Sequence, residues 1–199
     1  MKVRISFVWA IIAIGIIGIG CAASIIFSAN MQIVISQAKP TTTIFVPKQI
    51  LAQLPVRLVI PKMHTNAFIE YLGLTTDGAM AVPAGASDVA WFDLGPRPGN
   101  SGAAVIAGHE GWKDGISAVF DNLHELKAGD EIDTIDGMGA TTTFIVQKLA
   151  LYDQNANSAT VFDATDTAAH LNLITCEGVW NAAEQSYSDR LVVFAIKKN

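Results

Sequence analysis

Three residues of this chain have the types and the surroundings needed for joint chemistry. Cys176 closes the apolar run Leu173-Ile174-Thr175, and Arg190 opens the run Leu191-Val192-Val193-Phe194. Both runs have the composition of short buried strands. If they pair, a thiol and a guanidinium meet at one sheet edge. That pair suits acyl transfer, because a permanent cation favours the attacking thiolate and can hydrogen-bond the oxyanion that forms. Such a reaction also needs a group that moves protons. His109 ends a third buried-strand pattern, Ala103-Ala104-Val105-Ile106-Ala107-Gly108, and is the candidate. His64, His124 and His170 have no comparable strand-end setting and read as surface or structural histidines. The plain alternative for Cys176 is an inert buried cysteine.

The cysteine count gives that thiol more meaning. The chain has 2 cysteines, and Cys21 lies in an apolar stretch far from Cys176, so no disulfide framework exists. Residues 5–29 carry no charge, and Lys2 and Arg4 precede them. At about 1.5 Å per residue a helix of this length reaches about 37 Å, enough to cross a hydrocarbon core of about 30 Å. The positive-inside rule then puts residues 1–4 in the cytoplasm and the rest of the chain outside. Two other readings compete for this stretch. One is a cleaved signal peptide, whose apolar region is usually shorter. The other is a lipoprotein-type site at Cys21, which lacks the usual leucine three residues earlier. A mean hydropathy of +0.37 reflects this segment in part. The net charge of −5, with no basic run, argues against a nucleic-acid partner.

Residues 30–54 mix polar and apolar positions and are broken at Pro40 and Pro47, the pattern of a stalk. A domain over residues 55–199 follows. It opens with strand-like runs at residues 56–60, 67–72 and 88–92, and Met80-Ala81-Val82-Pro83 reads as a short edge piece. Residues 116–126 carry Val119, Phe120, Leu123 and Leu126 at helical spacing and predict a helix. Strands at 131–135 and 141–151 flank the hairpin turn Asp136-Gly137-Met138-Gly139. Residues 153–170 form a long polar connection. The fold class is therefore all-β with short helices, a closed or nearly closed barrel of seven or eight strands.

In this order the chain resembles the sortases, membrane-anchored cysteine transpeptidases. The likeness spans about residues 55–196. It rests on Ile60-Pro61-Lys62, Val89-Ala90-Trp91-Phe92, Pro98-Gly99, Val105-Ile106-Ala107-Gly108-His109, Phe120-Asp121-Asn122-Leu123, Leu126-Lys127-Ala128-Gly129-Asp130, and Leu173-Ile174-Thr175-Cys176 ahead of Arg190. Spacings of 67 residues from His109 to Cys176 and 14 from Cys176 to Arg190 strengthen it. Trp91 and Pro98-Gly99 look most like the short class E and F branches. The resemblance implies a closed eight-stranded barrel behind one N-terminal transmembrane helix. It implies cleavage of a Leu-Pro-X-Thr-Gly-like sorting signal on secreted proteins, between Thr and Gly, through a thioacyl enzyme. A peptidoglycan-precursor or pilin-lysine amine would then resolve that intermediate. Cys176 would be the nucleophile, His109 the acid and base, and Arg190 the oxyanion partner. Ala107, Thr175 and Trp112 are the candidate substrate-binding residues. No cofactor and no catalytic metal are implied, and a calcium ion on the 153–170 loop is left open.

A cysteine hydrolase with the same three residues differs only in releasing its acyl group to water. An L,D-transpeptidase fits poorly, since its cysteine lies in a Ser-His-Gly-Cys-type stretch and Cys176 is followed by Glu177-Gly178. A non-catalytic wall-binding barrel would have no use for the three residues together.

Overall fold

The computed structural model describes residues 52–183 and 186–199. The proposed membrane span and nearly all of the stalk lie outside the described residues. Eight strands form the domain: β1 (Pro55–Ile60), β2 (Thr65–Leu72), β3 (Val89–Phe92), β4 (Gly102–Gly108), β5 (Glu131–Asp136), β6 (Thr141–Asp153), β7 (Ala169–Asn181) and β8 (Ser186–Lys197). They close in the order β1-β2-β3-β4-β7-β8-β6-β5, with β5 returning to β1. The expected all-β, eight-stranded closed barrel is the observed fold. Closure leaves no open sheet edge among the described residues.

Alternation along each strand assigns the faces. Leu171 and Leu173 on β7 and Leu191, Val193 and Ala195 on β8 join the barrel interior around Phe120 and Phe144. Their neighbours Ile174, Val192 and Phe194 face outward. That outer face is covered too. Residues 153–170, patternless in sequence, carry a four-residue α-helix, Ala159–Phe162, which packs Val161 and Phe162 onto Val105 and Val192. Two-sided cover explains why β4 is apolar throughout and buried at every position after its first.

Strand β6 changes faces midway. Its pairing with β8 shifts register between Val146 and Lys148, so the bulge at Gln147 inverts the alternation. Phe144 and Val146 point inward before it and Leu149 after it, which leaves Tyr152 on the outer face against Phe194.

Residues 116–126 do not form the predicted helix. Only 3-10 turns occur nearby, at Lys113–Gly115 and Leu123–Glu125. Asp114 and Gly115 take φ of 61° and 70°, outside helical geometry. The Asp121 carboxylate accepts from the Gly111 and Ala118 amides at 2.8 and 3.0 Å, a local bond that competes with helix formation. The apolar spacing is used differently, as Phe120, Leu123 and Leu126 plug the barrel. Met80 forms an isolated bridge with Leu74 rather than an edge strand.

Candidate active site

Cys176 and Arg190 are direct cross-strand partners in the β7–β8 ladder. Both have the parity of Ile174 and Val192, so they project from the outer face. His109 follows the last residue of β4, whose Ala107 pairs with Ile174 in parallel register. The three residues line one groove of about 660 Å³ together with Ala107 and Thr175. Its apolar wall comes from Met80, Val82, Phe92, Phe162 and Val192, and Tyr152 joins it through the β6 bulge.

Contacts fix each functional side chain. The Thr175 hydroxyl is buried and donates to the Gly108 carbonyl at 2.8 Å, tying β7 to β4 beside His109. Gly108 has to be glycine, because a Cβ there would meet Phe120 Cδ2 at 2.5 Å. Trp112 does not line the groove; it packs edge-on against the His109 ring with centroids 4.7 Å apart. The His109 Nε2 lies 2.8 Å from the Pro83 carbonyl oxygen. Arg190 donates from one terminal nitrogen to the Tyr187 and Asp189 carbonyls at 3.0 and 2.8 Å, and from the other to Ser186 Oγ at 3.1 Å. Of its five N–H groups this leaves Nε–H and one terminal proton uncommitted among the described residues.

Burial pushes the Cys176 thiol above its ordinary value; Arg190 pulls it back and Glu110 adds to the rise. Glu110 is itself pushed up to about 7, first by burial and then by Glu177, with His124 opposing. Its Oε2 is buried without a hydrogen-bond partner among the described residues. An arrangement of this kind can run acyl transfer: a buried thiol with a cation beside it to offset the burial once the thiolate forms, donors for an oxyanion, and an imidazole in the same groove.

The sequence pattern did not single out Glu110, Glu177, Ser186 or Pro83. Glu110 was the most accessible of these, being next to His109. The others depend on strand register and on the path of the β2–β3 connection. His64 caps a 3-10 turn with φ 53°, and His170 pairs with Asp166 at 2.7 Å away from the groove.

The chain matches the Sortase domain family model over residues 58–198. No curated protein matches it. Among solved structures it is similar to sortase C-1 from Actinomyces oris, at TM-score 0.58 and 24% identity, covering 73% of this chain and 75% of that one. Sortase A from Corynebacterium diphtheriae gives 0.55 and 22%, over 74% of this chain and 62% of its own length. A Clostridium perfringens sortase D5 transpeptidase gives 0.55 and 20%, over 76% and 86%. These three carry class C, A and D names, so the class E or F likeness of Trp91 and Pro98-Gly99 is not confirmed by them. The family match runs from the middle of β1 through β8 and includes Cys176, His109 and Arg190, and the chain belongs to the sortase family of cysteine transpeptidases.

Proposed function

We propose that this sortase cleaves an LPXTG-like sorting signal between Thr and Gly and passes the acyl group to a cell-wall or pilin amine. The observation that carries the reading is the Cys176–Arg190 cross-strand pair in a groove shared with His109. Cys176 Sγ attacks the Thr carbonyl carbon, and the developing oxyanion is met by the free Arg190 N–H groups. His109 takes the thiol proton and gives it to the departing glycine amine, leaving a thioester. An incoming amine attacks that thioester, gives up a proton to His109 and releases the thiol. The thioester conserves the acyl group's reactivity, so no cofactor is consumed. The apolar wall around Phe92 and Phe162 suits the apolar leading residues of such a signal.

In this reading residues 5–29 anchor the protein as a single-pass membrane protein with the barrel outside. Tethering would raise its local concentration near membrane-bound clients. The test is intact mass and product analysis with Leu-Pro-X-Thr-Gly-like peptides, with and without candidate amines. The expected products are a Cys176 acyl adduct and an amine-linked peptide. Hydrolysed peptide as the main product with every amine offered would sink the acceptor assignment.

A further inference from the structure

The His109 contact with Pro83 leads back to a carboxylate. A backbone carbonyl only accepts, so the 2.8 Å contact requires the proton on His109 Nε2. Nδ1 is then the ring nitrogen with the free lone pair, and it has no partner among the described residues. The acceptor is well fixed. Pro83 is buried, and its ring restricts φ. On the opposite side of the same peptide plane, the Ala84 N–H donates to Glu70 Oε1 at 3.2 Å. In a trans peptide the N–H and C=O point in opposite directions, so holding one aims the other.

The chain around this peptide is pinned at both ends. Ala81 donates its N–H to Gly73 at 3.0 Å, and Ala86 accepts from Val119 at 2.8 Å. The connection from β2 to β3 therefore crosses beside His109 along a set path. A carboxylate bonded to the N–H also polarises the peptide, which makes its carbonyl a stronger acceptor.

We infer that Glu70 is a positioning residue for His109, acting through the Pro83-Ala84 peptide to hold the Nε2–H tautomer and to leave Nδ1 as the proton-transfer atom. The inference rests on the proposed acid and base role of His109. The proton leaves Cys176 Sγ for Nδ1 as sulfur bonds to the carbonyl carbon. It leaves Nδ1 for the amine nitrogen as the C–N bond breaks, while the other ring proton stays on Nε2, donated to the Pro83 carbonyl, throughout. Glu70 thus does at one peptide's remove what a directly bonded carboxylate does for a catalytic histidine elsewhere.

The test uses the full chain in detergent with ¹⁵N-labelled histidine, the His109 signals being assigned by their loss in His109→Gln. Wild type should show the Nε2–H tautomer at His109. Glu70→Ala removes the acceptor and should lower kcat about tenfold with KM nearly unchanged, and mix the His109 tautomers. Glu70→Gln keeps an acceptor without the charge; it should retain the tautomer and lose about threefold in kcat. Wild-type kcat with an unchanged His109 signal, in either variant that folds by near-UV circular dichroism, overturns the inference. Full turnover in His109→Ala overturns the role of His109 beneath it, a failure distinguishable from the first because it leaves the tautomer response to Glu70 intact.

Discussion

At the scale of single residues, the Cys176 thiol feels one cation in the groove, Arg190, and one reluctant acid beyond its lining, Glu110. Arg190→Ala should lower kcat/KM by about 10²- to 10³-fold while the barrel stays folded, the loss typical of one oxyanion donor. Arg190→Lys should recover only part of this, since an ammonium lacks the planar fork that spans the Tyr187 and Ser186 contacts. Steady-state kinetics with circular dichroism decides, and a near-normal rate in folded Arg190→Ala would remove Arg190 from the chemistry. Glu110 makes a pH prediction. Its carboxyl, pushed from 4.5 to about 7, keeps its proton in the folded protein over a range where the unfolded chain has lost it. The folded state therefore binds more protons, and stability falls as pH rises from about 4.5 through about 7. Glu110→Gln should melt higher than wild type above pH 7, with the difference vanishing toward pH 4.5. It should also speed iodoacetamide capture of Cys176 above pH 7, because ionised Glu110 opposes the thiolate. Equal melting curves across that window would refute the Glu110 assignment. Cys176, Arg190 and His109 could be picked out in the sequence because apolar runs flank them, although only His109 stands at a strand end. Glu110 was adjacent to His109 yet silent, since its effect depends on burial and on Glu177 coming near.

Among elements, the strand ends matter most. Gly108 lets β4 run against Phe120, and a Cβ would also approach Val119 Cγ1 at 2.8 Å. Gly108→Ala should cost about 1–3 kcal/mol through overpacking. It should also reduce turnover by shifting the Gly108 carbonyl and the neighbouring His109, and thermal melts paired with kcat would show both. An unchanged melting point would mean the Phe120 plug yields freely. Most strands could be read from apolar runs and alternation, but β7 runs on to Asn181 and β8 starts at Ser186, so Cys176 and Arg190 lie inside their strands and not at the expected strand ends. The plug at 116–126 could not be read so, since the helical spacing of Phe120, Leu123 and Leu126 serves equally a turn-rich segment that sends just these three side chains into the barrel core. The β6 bulge was also hidden. One run of strand-forming residues gives no sign that Gln147 swaps its faces and delivers Tyr152 to the groove.

For the whole molecule, the proposed topology predicts that protease added to intact protoplasts digests the barrel while the barrel stays membrane-bound before treatment. A protected barrel, or one free in the medium with a new N-terminus near residue 30, would end the anchor proposal. Barrel closure was inferred from strand number and family likeness. The order itself depends on long-range pairings, β1 with β5 and β4 with β7, that no local pattern encodes. The placement of β8 has a consequence in time. β8 is the last strand of the barrel to leave the ribosome, yet it lies between β7 and β6 in the middle of the wall. Until it emerges Cys176 has no arginine beside it, β6 and β7 have no common neighbour, and the wall stays open. Slow, non-local pairing of this kind is completed only when its final partner arrives. The Cys176–Arg190 pair therefore forms only in the same closing step that finishes the fold.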